Sequence, residues 1–317
     1  MKSSTVNRKI VELYDKYGIF SILVGTFIIS TFLSPVFLTQ ANILNVIRQN
    51  VTIGIVACGA QLVLISGEVD LSPGAVAAFS GCIAAMVASS TGNPVLAFFT
   101  CLLLGATIGL VNGIFITGFK LPAFIMTLAT QAVAKGGILA ITRARAVSGL
   151  GNFSWIGQGY IGPFPVPILL WCVILLICGF ILNKMRFGRH IYAVGGNRAA
   201  ARASGIRQNR VVMKCFIIAG ALSGLAGGVL MARIDSGQPT SGVGLEFDAI
   251  TATIIGGTSM YGGRGNIYGT IAGTLFVGIL TNIMTLVGVN AYTKQMAQGI
   301  IIALAVLIDV TVKKQER

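Results

Sequence analysis

The chain has 317 residues, of which 55% are hydrophobic and only 10% are charged, and its formal net charge is +14. Soluble domains carry roughly 25% charged residues, so a fold of this length cannot hide so much apolar surface from water. The composition therefore excludes a soluble globular protein and predicts an all-α integral membrane protein in contact with lipid. The basic residues are concentrated in a few connections, which argues against a nucleic-acid partner and indicates membrane topology.

Long apolar stretches predict about ten transmembrane helices, because one crossing of a bilayer needs about 20 apolar residues. The first stretch ends without a small-residue cleavage site and is expected to be a retained span. The span 246–257 is the weakest, since it is short and contains Asp248. The predicted spans are 19–38, 50–67, 72–90, 95–118, 121–142, 166–183, 212–232, 246–257, 267–287 and 294–310.

The distribution of basic residues predicts the orientation of these spans. An even number of crossings places both termini on one side, and a cytoplasmic N-terminus puts 17 of the 23 Lys and Arg residues in the cytoplasm. Eight of them lie in the central loop 184–214, which contains no acidic residue. We predict a single transmembrane domain over 1–317, with cytoplasmic tails at 1–18 and 311–317.

The central loop contains a signal for a short helix. Asn197 is a favourable N-cap for the segment RAAARAS, and Gly205 is a natural stop. A helix of this length is not stable in water unaided, so we expect it to pack against its own membrane domain or a partner. The small side chains of Ala199, Ala200 and Ala203 suit insertion into a partner's groove. The alternative is a solvated loop that serves only topology.

Glycines repeat every fourth residue in several spans and predict close helix contacts in lipid. We expect internal packing, with a subunit interface as the alternative. Spans 2–5 and 7–10 also share weak sequence echoes and run in opposite senses, which predicts an inverted repeat with a pathway between the halves. The repeating glycines are Gly105, Gly109 and Gly113, then Gly220, Gly224 and Gly228, and then Gly269 and Gly273.

The segment SGEVDLSPGA at 66–75 separates two spans. Asp70 or Ser72 can cap the second helix, with Pro73 in its first turn. Alternatively, Glu68 and Asp70 lie at membrane depth and shape a conduit, as intramembrane acids often do. Uncharged polar residues inside spans commonly form interhelical hydrogen bonds, but as a set they suit a neutral, hydroxyl-rich solute. The candidate pathway residues are Gln61, Glu68, Asp70, Ser72, Asn112, Thr127, Thr130, Gln131 and Asn282.

Several chemical signatures are missing from the sequence. There is no GxxxxGK[ST] phosphate loop, so the chain is not expected to bind ATP through one, and an energy source must come from elsewhere. The only histidine is His190 and the six cysteines form no CxxC pair, so we expect no metal site and no catalytic site. The cysteines are interpreted as small core residues.

Five motifs carry a resemblance to a known family. They are GEVDLSPGA at 67–75, GLVNG at 109–113, LPAFIMTLAT at 121–130, GRHIYAVGGNRAAARASGI at 188–206 and QPTSGVGLEFDAITATIIGGTSMYGGRGNIYGT at 238–270. The ending AQGIIIALAVLID at 297–309 also fits. Over roughly 35–310 the chain resembles the permease subunits of bacterial ribose-type ABC importers, in the superfamily that also holds branched-chain amino acid permeases.

The resemblance implies an assembly in the bacterial inner membrane. It implies a homodimeric permease with the ten-helix fold of the vitamin B12-type importers, two cytoplasmic ATPase subunits that bind ATP and Mg²⁺, and a periplasmic or lipid-anchored sugar-binding protein. No cofactor is expected in this chain. The loop matching 188–206 would be the coupling helix on the ATPase. The residues that carry this motif are Gly195, Gly196, Asn197, Ala203, Ser204 and Gly205.

Two departures from the family leave the solute open. Pro73 stands where the family often has Val, and Thr142-Arg143-Ala144-Arg145 replaces a usual Thr-x-Gly. Ribose is the first candidate for the transported solute, and xylose, galactose, allose and a furanosyl signalling molecule are the alternatives. The alternative from another class is an ion-coupled secondary sugar carrier, against which the lack of intramembrane acid pairs argues.

Overall fold

A computed structural model describes the backbone of residues 2–315 and the side chains of residues 18–307. Within this part the chain is mostly helical, with four two-residue strands and a 3-10 helix at Gly151–Ser154. The helices are α1 (Lys2–Leu33), α2 (Gln40–Ile65), α3 (Pro73–Thr91), α4 (Pro94–Thr117), α5 (Ala123–Thr142), α6 (Trp155–Gln158), α7 (Val166–Lys184), α8 (Arg186–Gly196), α9 (Arg198–Ala203), α10 (Gln208–Ile234), α11 (Leu245–Ile255), α12 (Ile267–Leu286) and α13 (Ala291–Gln315). The strands are β1 (Val147–Ser148), β2 (Tyr160–Ile161), β3 (Phe164–Pro165) and β4 (Ser236–Gly237), paired antiparallel as β1 with β4 and β2 with β3.

Seven helices among the described residues are long and apolar enough to cross a bilayer: α2, α3, α4, α5, α7, α10 and α12. Shorter apolar helical stretches lie at Gly18–Leu33 and Ala291–Leu307. Each overlaps a span predicted from the sequence, although α2 begins ten residues before its predicted span 50–67. The prediction of an all-α membrane protein is confirmed. Local capping explains several of the boundaries, as in α4, where Asn93 accepts hydrogen bonds from the N–H groups of Val95 and Leu96.

The bundle has two ends, and segments predicted for the same side of the membrane lie at the same end. At the central-loop end, Asn209 donates to the carbonyl of Thr117 at 2.9 Å. At the opposite end, β1 pairs with β4, and Ser89 donates to the carbonyl of Ser148 at 3.0 Å. The 27-residue helix α10 connects the two ends.

The region of the weakest predicted span, 246–257, runs between the two ends of the bundle in two parts. Helix α11 has 11 residues, and at about 1.5 Å per residue it covers only half of a bilayer core of about 30 Å. The residues before it form β4 and turns, and a Cβ on Gly242 would lie 2.6 Å from the carbonyl oxygen of Gly74. The chain therefore passes from the opposite end at Gly237 to the central-loop end at Gly263, first without helix and then as α11.

The glycine repeats pack against each other inside the chain. A Cβ on Gly105 of α4 would overlap the carbonyl oxygen of Gly220 of α10, and one on Gly220 would lie 2.8 Å from the Cα of Gly109. The same contact recurs between α11 and α12, where a Cβ on Gly273 would overlap the carbonyl of Ala252. The expectation of internal packing is confirmed, because bare backbones meet at these crossings.

The first helix of each half, α2 or α10, packs against the helices of the other half. Helix α10 packs on α3 and α4 of the first half, while α2 packs on α11 and α12 of the second half, and α2 and α10 also touch each other. Equivalent helices thus make equivalent contacts, the arrangement that the opposite senses of spans 2–5 and 7–10 predict.

The α4–α10 crossing generates a stability prediction. Gly105→Ala should destabilise the folded protein by about 1–3 kcal/mol, because the two helices must separate to admit the methyl group. Gly136→Ala on α5 is the matched control, since a Cβ there meets nothing within 4 Å among the described residues. Thermal unfolding in detergent should give a lower midpoint for Gly105→Ala alone; equal midpoints would contradict the packing argument.

Candidate functional site

The central loop is helical rather than irregular, and it contains one helix that the sequence analysis missed. Helix α8 places Phe187, Ile191 and Val194 on one side, where they pack into the core cluster formed by the ends of α2 and α10. The spacing of these residues, four and then three apart, is typical of an amphipathic helix and could have identified α8. Gly195 and Gly196 form its last turn.

The predicted short helix is present as α9. The side-chain oxygen of Asn197 accepts from the N–H of Ala200 at 3.0 Å, as an N-cap does. Gly205 follows with φ +77°, and the N–H of Ile206 donates to the carbonyl of Ala201 at 3.0 Å, which closes the C-terminal turn. The predicted boundaries 197–205 are therefore confirmed.

Helix α9 is held from one side only. Ala201 is 3% exposed and packs into the same core cluster, whereas Ala199, Ala200 and Ala203 are exposed. The helix thus packs on its own membrane domain and leaves a small, flat face exposed. Arg198, also exposed, flanks this face.

Polar contacts fix the position of α8 and α9 at the end of the bundle. Arg198 forms an ion pair with Glu68 at 2.5 Å, and the Gln208 amide donates to the carbonyl of Arg198. The Tyr192 hydroxyl donates to the carbonyl of Gly265 at 2.7 Å. Burial raises the pKa of the Tyr192 phenol above its ordinary value, so the hydroxyl remains a donor. Glu68 therefore lies beside α9 at the central-loop end.

A second candidate site is a buried polar cluster where α3 begins. The Ser72 hydroxyl and N–H both donate to Asp70 Oδ1, at 2.6 and 2.9 Å. Asn112 of α4 donates to the Ser72 hydroxyl at 3.3 Å, and Thr130 of α5 donates to Asn112 Oδ1. All four side chains are buried. Pro73 opens α3 as predicted, but the Ser72 side chain bonds to Asp70 and makes no capping bond to the helix.

The cluster continues to Thr127, whose hydroxyl oxygen accepts from the N–H of Leu71 at 3.1 Å. These hydrogen bonds link the non-helical segment before α3 to α5. Buried polar groups with partners of this kind rigidify the segment that holds them.

Glu246, which the sequence analysis did not single out, adjoins this cluster. Its Oε1 accepts from Gln131 Nε2 at 3.0 Å, and the residue is 3% exposed. A Cβ on Gly74 would overlap its carboxyl group, so only glycine admits it there. The N-termini of α3 and α11 therefore meet at one buried carboxyl group.

The remaining predicted pathway residues lie elsewhere. Gln61 is fully buried in α2, and its amide has no hydrogen-bond partner among the described residues. Asn282 exchanges two hydrogen bonds with Asn42, at 2.9 and 3.1 Å, towards the opposite end of the bundle. The structure thus gathers Asp70, Ser72, Asn112, Thr127 and Thr130 in one network, with Gln131 beside it, and places Gln61, Glu68 and Asn282 apart.

Comparison with known sequences identifies a family and several relatives. A family model described as "Branched-chain amino acid transport system / permease component" matches residues 42–306. The chain is 42% identical to the Ribose import permease protein RbsC of Bacillus subtilis (strain 168) over 298 residues, covering 93% of this chain and 92% of the relative.

Two further relatives come from Escherichia coli (strain K12). Its Ribose import permease protein RbsC is 37% identical over 302 residues, which cover 94% of both chains. Its D-allose transport system permease protein AlsC is 36% identical over 306 residues, covering 95% of this chain and 93% of the relative. No solved structure matches the chain.

Proposed function

Because the chain belongs to the family of branched-chain amino acid transport system permease components, we propose that it is the permease subunit of an ATP-binding-cassette importer that carries a monosaccharide into the cell. The observation that carries this proposal is the near full-length similarity to permeases named for ribose import, at 36–42% identity. A secondary carrier is not favoured. The chain itself is not an enzyme, and ATP with Mg²⁺ belongs to a partner subunit.

Ribose is the proposed solute. Relatives named for ribose import and for D-allose transport support a monosaccharide, and the first of these is the most similar of the three described above. The buried cluster of Asp70, Ser72, Asn112, Thr127 and Thr130 supports the same solute class, since hydroxyl and amide groups match sugar hydroxyls without a counter-charge. We propose that these residues, with Gln61, Glu68, Gln131 and Asn282, line or gate the pathway.

The proposed assembly is a homodimer of one transmembrane domain per chain, 1–317, with two ATPase subunits and an external sugar-binding protein. Each subunit would cross the inner membrane ten times in a vitamin B12-importer-like fold. The seven helices long and apolar enough to span, the apolar stretches in α1 and α13 and the two-part passage ending in α11 would together make ten crossings. Both termini would be cytoplasmic, together with the central loop.

Helix α9 is the proposed docking helix for the ATPase. Its exposed alanine face and its N-cap and C-cap residues fit insertion into a groove of a cytoplasmic partner. Gly195, Gly196, Asn197, Ala203, Ser204 and Gly205 would form the coupling motif. Movement of this helix would then switch the permease between its outward-open and inward-open states.

The orientation is tested by a pair of serine-to-cysteine variants, made in a background in which the exposed Cys172 is replaced by Ser. Ser90 and Ser204 are both exposed, but they lie at opposite ends of the bundle. A membrane-impermeant maleimide should label Ser90→Cys in intact spheroplasts and Ser204→Cys only after permeabilisation. The reverse pattern would overturn the proposed orientation.

The docking assignment is tested by the double variant Asn197→Ala/Gly205→Ala. Loss of the cap costs about 1 kcal/mol, and an alanine at φ +77° costs about 1–2 kcal/mol more, so the ratio of folded to unfolded α9 falls by roughly 30-fold or more. We expect normal membrane insertion, lost ATPase binding and lost ATP-driven ribose uptake in proteoliposomes.

A matched control lies in the connection between α12 and α13. Asn290 caps α13 by accepting from the N–H of Thr293, and Gly288 has φ +79°, so Asn290→Ala/Gly288→Ala removes the same two features far from α9. The control should keep ATPase binding. Undiminished ATP-driven uptake by the Asn197/Gly205 variant would overturn the docking assignment.

A further inference from the structure

Three chain segments cross backbone to backbone beside the proposed docking helix. The N–H of Gly263 donates to the carbonyl of Ile65 at 2.8 Å, and α8 passes over this hydrogen bond. A Cβ on Gly195 would overlap the Ile65 carbonyl oxygen and lie 2.6 Å from the Gly263 nitrogen, while one on Gly263 would lie 2.7 Å from the Cα of Gly196. No side chain separates these backbones.

Glycines with left-handed conformations extend the same crossing. Gly67 and Gly262 have φ of +80° and +83°, and a Cβ on Gly262 would lie 2.8 Å from the Cα of Gly67 and from the carbonyl oxygen of Gly195. Steric room and backbone angle therefore both require glycine at 262, while at 67 the backbone angle alone favours it.

Side chains fasten the same segments to α8 and α9. Tyr192 of α8 donates to the carbonyl of Gly265, immediately before the N-cap of α12. Arg198 of α9 pairs with Glu68, two residues before Asp70 of the buried polar cluster. One contact thus reaches the second half of the protein and the other reaches the first half.

The two fastened segments are the inner connections of the two halves. Residues 66–72 join α2 to α3, and residues 256–266 join α11 to α12. Close-packed backbones have little freedom to deform, so a displacement of α8 and α9 is transmitted to whatever they touch. Both half-repeats would then receive the movement of the docking helix together.

We propose that Gly195 is a positioning residue for coupling: by allowing α8 to seat on the Ile65–Gly263 hydrogen bond, it makes α9 and the inner connections of both halves one mechanical unit. This inference rests on the proposed function. Gly195 would act through backbone contact and would touch neither the solute nor the ATPase. A glycine needed only for folding would change stability but not the ratio of sugar imported to ATP hydrolysed.

The test compares two helical glycines. Gly195→Ala forces the three backbones apart, whereas a Cβ on Gly136 of α5 meets nothing within 4 Å among the described residues. Each variant is reconstituted in proteoliposomes with the ATPase subunit and ribose-loaded binding protein, and both ATP hydrolysis and ribose uptake are measured. Gly195→Ala should keep hydrolysis but lower uptake per ATP by roughly tenfold, within the range of typical coupling energies. Gly136→Ala, which lies outside the proposed docking region, should match the wild type.

A milder variant decides the question if Gly195→Ala does not accumulate in the membrane. Tyr192→Phe keeps the size of the side chain and removes only the hydrogen bond to Gly265, and Tyr268→Phe at an exposed position is its control. Uptake per ATP should fall in Tyr192→Phe alone.

Two failures are distinguishable. If the wild-type complex shows no ATP-dependent uptake of any monosaccharide, the proposed function is wrong, and the inference falls with it. If the wild type transports ribose and uptake per ATP is unchanged in whichever of Gly195→Ala and Tyr192→Phe folds, the inference is overturned while the function stands.

Discussion

Direct contact between backbones is the constraint on which this structure depends. In lipid, apolar side chains gain nothing by leaving their solvent, so helices associate through van der Waals packing and polar contacts. The α4–α10 crossing satisfies this constraint through Gly105 and Gly220, and the α11–α12 crossing does so through Gly273. The same contact between bare backbones recurs outside the spans, where the backbone of Gly195 packs against those of Ile65 and Gly263. One physical requirement thus connects the core of the bundle to the proposed docking helix.

Burial of two acidic side chains near the start of α3 is the second organising feature. Two helix N-termini meet beside the Glu246 carboxyl group, and Asp70 accepts two hydrogen bonds from Ser72. Each acid thus has helix N-termini or hydrogen-bond donors beside it, as a buried polar group requires. The pathway that we propose would run past these hydrogen-bonding groups, which match the hydroxyls of a neutral sugar.

The sequence predicted those features whose causes are local. The apolar stretches gave the spans, Asn197 and Gly205 gave the limits of α9, and the four-residue glycine spacing gave the helix contacts. Features that depend on tertiary contact were missed. The meeting of Gly74 with Glu246 joins residues far apart in the chain, and the non-helical half of the passage before α11 has no apolar pattern of its own. Helix α8 is the exception. The spacing of its apolar residues predicts an amphipathic helix, but the sequence analysis interpreted this segment only as part of a basic loop.

We expect α9 and the inner connections of both halves to move as one body when the ATPase engages. Spin labels at Arg202 on α9 and at Tyr268 in the first turn of α12, both exposed, report on this directly by distance measurement in the reconstituted complex. A second pair at Arg202 and Ser90 spans the two ends of the bundle. ATP binding should leave the 202–268 distance unchanged and shift the 202–90 distance. A shift in the 202–268 distance as large as that between 202 and 90 would contradict this movement as one body.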